Sequence, residues 1–288
     1  MNIKQVLADT EKFFAGHNIE NPRLDAEVLL ADLLNMERIN LYVNFDYPLS
    51  ENELVRYRKR IIKRAKHYPV AYITGTKEFM SLVFSINENV LIPRPETELL
   101  VEEVISYCEN KGIKGPNIVD VGTGSGAIMV SLGYYLSQAK IIGIDIKDET
   151  LTVAQGNIKK HELVDRLKVI KGDLLTPLIK MDKNNVDIVV SNPPYISSEE
   201  MKELPAEVKK EPVIALAGGK SGLKIYNDLI PQSKKVLVPG GLLILEIAYN
   251  QAGAICEILK DWDNVSVKKD YAGHDRIVIA EKPENGVR

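Results

Sequence analysis

The stretch 117-NIVDVGTGSGAI-128 decides the fold. Asn117 to Val121 is short, apolar and β-rich, and helical periodicity begins at 125, directly after a turn built on Gly122, Gly124 and Gly126. A strand that turns through glycines straight into a helix opens a βαβ unit. Glycine is needed because the backbone turns sharply and approaches a ligand where a side chain would clash. Outward from this point the same texture recurs in "KIIGID" (140–145), "LKVIKGD" (167–173) and "VDIVVS" (186–191). Helical spacing fills 98–110, 125–137 and 148–162 around these strands. Such alternation predicts an α/β, Rossmann-like domain with a mostly parallel sheet covered on both faces. The end differs. "GGLLILEIA" (240–248), "NVSVKKDY" (264–271) and "DRIVIAE" (275–281) are strands with one helix, 250–261, among them. The last two, separated by "AGH", predict an antiparallel hairpin on the sheet edge, giving seven strands in all.

Upstream, residues 1–70 carry helical spacing without strand-like alternation. Leu24, Val28, Leu29, Leu33 and Leu34 share one stripe, with Asn21 at the N-cap and Pro22 at the first helical position. Ser50 and Glu53 form a capping box for a helix whose apolar side is Leu54, Tyr57, Ile61 and Ala65. Arg56, Lys59, Arg60 and Lys63 line its other side, flanked by Arg64 and Lys66: a solvated face first, a docking surface second. A small N-terminal helical bundle follows. Residues 71–95 read as a β-hairpin or extended connector closed by Pro93 and Pro95, and 96–288 as the α/β domain.

Composition narrows the function. The 288 residues are 45% hydrophobic and 27% charged with net charge −3, which excludes disordered and fibrous classes and provides no overall basic field for nucleic acid. Two cysteines cannot make a disulfide framework, and no signal-peptide core or membrane-length apolar run is present, so a cytoplasmic protein is expected. The four histidines show no metal-ligand spacing, and no metal site is expected.

The glycine loop points to a nucleotide-like cofactor but also fits the G-x-G-x-x-G/A pattern of dinucleotide binding. Asp120 at the strand's end would repel a pyrophosphate, whereas S-adenosylmethionine carries an ammonium and a sulfonium. Asp145 ends the next strand, where an acid pairs with ribose hydroxyls. Asp173, ending the third strand, and Leu174 border the adenine side. Each acid also has a plain structural reading as a turn or helix-capping residue.

"SNPPY" (191–195) ends the fourth strand beside this loop. One proline suffices to stop a strand, so the second needs another reason. A planar –NH2 is a poor nucleophile because its lone pair is delocalised. A site that methylates it must hold both hydrogens without donating to the nitrogen. Asn192 offers a side-chain carbonyl, the stiff Pro193-Pro194 turn offers a second carbonyl at Pro193, and Tyr195 offers an aromatic wall.

With these motifs the sequence resembles the class I S-adenosylmethionine-dependent methyltransferases, and within them the HemK/PrmC family of protein-(glutamine) methyltransferases. "SNPPY" is shared with methyltransferases acting on nucleic-acid amino groups. "YPVAYITGTKEF" (68–79), "VLIPRPETE" (90–98), "EPVIALAGG" (211–219) and "AGHDRIV" (272–278) are more specific to the family. The resemblance implies methylation of the glutamine amide in the Gly-Gly-Gln motif of class I peptide release factors, with no stable nucleic-acid or membrane partner. It implies that Asn192, Pro193, Pro194 and Tyr195 hold the substrate amide. Gly122, Thr123, Gly124, Ser125, Gly126 and Asp145 would hold the cofactor, with Asn192 also touching it and Arg94 and Thr97 near its methionine end. Leu174 stands where some members carry an aromatic residue, and Ala248 where glycine is usual. The N-terminal bundle becomes an expected docking surface and 196–220 an expected lid. The alternatives are a nucleic-acid amino-methyltransferase, a non-catalytic binding module that retains the fold, and a dinucleotide oxidoreductase, which would leave "SNPPY" idle.

Overall fold

The structure is a computed structural model that describes residues 1–284. The chain forms two compact units: Met1–Thr76 with Pro205–Lys210, and Lys77–Leu204 with Glu211 onward. The connector read at 71–95 is therefore divided near residue 76, and six residues from the expected lid group with the helices.

In the first unit, α1 (Ile3–Ala15) opens on an Asn2/Gln5 capping box and α2 (Pro22–Leu34) on Pro22, while Asn21 makes no side-chain cap bond. Next come α3 (Arg38–Val43), α4 (Glu51–Ala65) with the expected Ser50/Glu53 box, and α5 (Val70–Thr74), stopped by Gly75 at φ 78°. Ile3, Leu7, Phe14, Leu29, Leu30 and Tyr57 are among its buried core residues, whereas Leu24 of the expected stripe is exposed. The basic side of α4 is not uniformly solvated. Arg60 pairs with Asp32 at 2.5 Å, and buried Arg64 donates to Asp25 at 2.6 Å and pairs with Glu207.

All but the first residue of β1 (Thr76–Phe79) lies in the second unit, where Met80 and Ser81 join it to β2 (Leu82–Ser85), both at positive φ as a type I′ hairpin turn requires. A 3-10 turn at Pro95–Thr97 leads into α6 (Glu98–Lys111). Then β3 (Asn117–Val121), α7 (Ala127–Tyr135), β4 (Lys140–Asp145), α8 (Asp148–Lys160), β5 (Leu167–Lys171), α9 (Thr176–Lys180) and β6 (Val186–Ser191) alternate. The short α10 (Glu200–Glu203), α11 (Lys224–Val236), β7 (Leu237–Glu246), α12 (Ala252–Ile258), β8 (Asp263–Lys269) and β9 (Asp275–Glu281) follow. The seven-stranded sheet has the order β5-β4-β3-β6-β7-β9-β8, parallel except for β9, which runs antiparallel to both β7 and β8. Helix α11 escaped the sequence reading because Pro231 lies inside it, where proline removes a hydrogen bond and usually ends a helix. Ile118, Val119, Ile188, Val189, Leu243 and Ile244 are essentially fully buried, each contributing roughly 1.5–3 kcal/mol. Among the described residues no helix is long and apolar enough to cross a membrane, no acidic, histidine or cysteine cluster could hold a metal, and both cysteines are free.

One side chain ties the hairpin to the glycine loop. Fully buried Asn157 of α8 accepts from the Ser85 N–H at 2.8 Å and donates to the carbonyls of Ser85 at 2.9 Å and Ser125 at 2.8 Å. Asn157→Ala removes the partner of three backbone groups, the Ser125 carbonyl among them buried, so unfolding free energy should fall by about 3 kcal/mol. Urea denaturation reads this as a lower midpoint at unchanged slope; a loss below about 1 kcal/mol would show that water replaces the amide.

Candidate active site

From β3 the chain winds outward through β4 to β5, then crosses back to β6 on the other side of β3, so the sheet's switch point lies between β3 and β6. Ligands in such sheets bind outside the carboxyl ends of the strands at that point. A cavity of about 430 Å³ lies there. Its wall includes Gly122, Gly124, Asp145, Asp173, Leu174, Asn192, Pro193 and Pro194. Asn89 to Leu91 and Pro212, Ile214 and Ala215 contribute further wall. Asp120, Thr123, Ser125, Gly126, Arg94, Thr97 and Tyr195 are not on it, although the sequence reading assigned each to the site.

The loop after β3 has the backbone its glycines permit: Gly122, Gly124 and Gly126 lie at φ 73°, 57° and 80°. A Cβ on Gly122 would meet nothing within 4 Å, so that position is open to a ligand, whereas one on Gly126 would press on Ala154 at 3.3 Å. The first glycine thus serves the cavity and the last serves helix packing. Asp145 Oδ2 accepts from the Gly124 N–H at 3.0 Å, and its Oδ1 from the Lys147 N–H at 3.3 Å. Burial raises its pKa despite these bonds.

Asp120 lies beneath the loop, 0% exposed, with Oδ2 accepting from Thr123 Oγ1 at 2.7 Å and Oδ1 without a partner. Burial pushes its carboxyl up to about 7, against the lowering effect of the Thr123 hydrogen bond. Its role in the structure is to hold the loop.

The second motif is held as firmly. Ser191 Oγ donates to the Val121 carbonyl at 2.7 Å, locking the end of β6 to the end of β3 and setting Asn192 beside Gly122. Asn192 Nδ2 donates to Thr97 Oγ1 at 3.1 Å. The Tyr195 ring packs on the sheet's core, its hydroxyl donates to Glu246 Oε1 at 3.4 Å, and its carbonyl accepts from Gln251 Nε2 at 3.0 Å. Gly222, at φ 75°, passes so close that a Cβ would sit 2.3 Å from the Tyr195 carbonyl oxygen. Buried Glu211 accepts from the Ile92 N–H at 3.0 Å and pairs with Arg94, which joins "VLIPRPETE" to "EPVIALAGG". The base of 196–220 is pinned by the Ile196–Ala217 bridge and by Ser198 N–H donating to the Gly219 carbonyl at 3.0 Å.

Sequence reading missed Glu246, Glu211, Gln251 and Asn157. For Glu246 a signal was present, since a lone charge within "LLILEIA" is costly to bury unless it is partnered and useful. The other three sit where the sequence carries no such contrast.

The pKa of Asp120 makes a stability prediction. An acid raised from 3.8 to about 7 on folding contributes stability that is fully present below its unfolded value and lost as pH rises through about 7. Melting temperature should therefore fall across that window, and Asp120→Asn, which does not titrate, should fall less steeply. Parallel melting curves for the two proteins across the window would refute the assignment.

The matches to known proteins fall in each of the two compact units. Residues 5–75 match the PrmC N-terminal domain family and residues 113–276 the methyltransferase domain family. The chain is 42% identical to the release factor glutamine methyltransferase of Clostridium botulinum, covering 98% of this chain and 100% of the relative. It is 40% identical to the one from Moorella thermoacetica, covering 99% and 100%. Among solved structures it is similar to the hMettl16 catalytic domain in complex with a MAT2A 3′UTR hairpin, at 20% identity and TM-score 0.56, covering 83% of this chain and 84% of that one. That last likeness concerns the fold alone, whereas full-length identity above 40% joined to a glycine loop and an Asn-Pro-Pro-Tyr turn on one cavity means that the chain belongs to the release factor glutamine methyltransferase family.

Proposed function

We propose that the protein methylates the side-chain amide nitrogen of the glutamine in the Gly-Gly-Gln motif of class I peptide release factors, using S-adenosylmethionine in the cytoplasm. The observation that carries this reading is the place of Asn192: on the wall of the switch-point cavity, beside the glycine loop, in a chain of this family. When bound, S-adenosylmethionine supplies an electrophilic methyl carbon on a sulfonium. The residues present fit it: the space beside Gly122 is open, and Gly124, Asp145, Asp173 and Leu174 share the same wall.

Asn192 Oδ1 accepts one hydrogen of the glutamine –NH2 and the Pro193 carbonyl accepts the other. The two acceptors hold the nitrogen in line and stabilise it as it gains positive charge, so no strong base is required. The surplus proton then leaves to solvent. Pro193 and Pro194 fix the turn, and Tyr195 braces it from the core side. Ile214 and Val213, exposed by 49% and 63%, form an apolar lip beside the cavity for the chain that carries the glutamine. The helical unit is the docking surface for the rest of the substrate protein.

Mass spectrometry of the Gly-Gly-Gln peptide, after reaction of purified release factor with the enzyme and cofactor, should show one added methyl on glutamine. Asn192→Ala should abolish it while cofactor binding by calorimetry persists. Label found in bulk RNA and not in the factor would instead favour a nucleic-acid amino-methyltransferase. If docking extends beyond the cavity, kcat/KM for intact factor should exceed that for a short Gly-Gly-Gln peptide by at least about 10-fold, equivalent to about 1.4 kcal/mol. Equal values would remove the docking role.

A further inference from the structure

Glu246 ends β7 and is 1% exposed. Thr97 Oγ1 donates to its Oε2 at 2.6 Å, and the Tyr195 hydroxyl donates to its Oε1 at 3.4 Å. Thr97 Oγ1 also accepts from Asn192 Nδ2 at 3.1 Å. We propose that Glu246 and Thr97 form a positioning relay that fixes which end of the Asn192 amide faces the substrate. The inference rests on the reading of Asn192 as the holder of the substrate –NH2.

The polarity runs in one direction. An ionised carboxylate only accepts hydrogen bonds, so Thr97 spends its single proton on Glu246. The hydroxyl then faces Asn192 with lone pairs, and only the –NH2 end of the asparagine can answer. Oδ1 is left for the cavity. Nothing in the shape of an asparagine makes this choice, because its two amide ends are nearly isosteric. The reversed amide would present N–H donors to the incoming –NH2 and would compete for the lone pair that must attack.

Protonating Glu246 undoes the arrangement. The acid becomes a donor, Thr97 is free to turn its proton toward Asn192, and the amide reverses. Burial raises the Glu246 carboxyl to about 7; Thr97, Arg276 and Tyr195 act to lower it and Glu96 to raise it. Arg276 is fastened to Asp270 at 3.1 Å, and the phenols of Tyr195 and Tyr226 are kept protonated by burial. The working polarity is thus present above that pH and lost below it. Glu246 and Thr97 act through Asn192; they are positioning residues for the transfer.

The test compares wild type with Thr97→Ser, Thr97→Val, Glu246→Gln and Asn192→Ala, measuring kcat and KM on intact release factor from about pH 6 to 9, cofactor affinity and melting temperature. Thr97→Ser keeps the hydroxyl and should stay within about threefold of wild type, whereas Thr97→Val should lose on the order of 100-fold in kcat. KM for the factor and cofactor affinity should change little in Thr97→Val. Wild type should show an acid limb in kcat near the Glu246 titration, and Glu246→Gln, which keeps an acceptor but does not titrate, should lack it. Thr97→Val within twofold of wild type, or an acid limb unchanged in Glu246→Gln, would overturn the relay. The limb in Glu246→Gln decides the matter should Thr97→Val fail to fold. Full activity in Asn192→Ala would overturn the underlying reading of the site instead, so the two failures are distinguishable.

Discussion

Parallel pairing of Ile118–Val121 with Ile188–Ser191 is the constraint on which the site depends. Parallel strands end on the same side, and at a switch point the chains leaving them diverge to opposite faces, which opens a crevice between two loops. Here one loop is the glycine turn and the other the Asn-Pro-Pro-Tyr turn. The bond from Ser191 Oγ to the Val121 carbonyl, at 2.7 Å, sets their register at the last residue of each strand. Both faces of these two strands are buried, so close packing on either side of the sheet, rather than an inside-outside alternation, holds the same register.

Around this crevice the protein buries acids that an ordinary core would exclude. Asp120, Glu211 and Glu246 are each less than 5% exposed. Each is paid for by hydrogen bonds from the motif it supports: Thr123 on Asp120, Ile92 and Arg94 on Glu211, Thr97 and Tyr195 on Glu246. A buried charge is costly unless it is partnered, and a partnered one specifies a single arrangement. Burial raises the carboxyls of Asp120 and Glu246 in spite of these bonds, so the hydrogen bonds offset the cost of desolvation only in part.

The strand-glycine-helix unit, the alternating strands and helices and the edge hairpin were legible because each is a local pattern in apolar spacing, and local sterics decide what glycine and proline permit. The Ser50/Glu53 capping box was legible for the same reason. Asn21 occupies the N-cap of α2 as expected but makes no side-chain cap bond, and α11 forms through Pro231 because burial of Tyr226, Leu229 and Ile230 outweighs a missing backbone bond.

The site divides along the same line. Sequence alone determined that a glycine loop and an Asn-Pro-Pro-Tyr turn occupy the ends of two strands, since both are backbone devices written in consecutive residues. Tertiary structure alone decided which side chains face the cavity. It placed Asp120 beneath the loop, turned Tyr195 toward Glu246, engaged Arg94 with Glu211, and set Thr97 between Asn192 and a carboxylate 149 residues further along the chain. Hydrogen-bond partners at such separations are chosen by the distances and solvent exclusion that packing creates, and no periodicity in the chain records them.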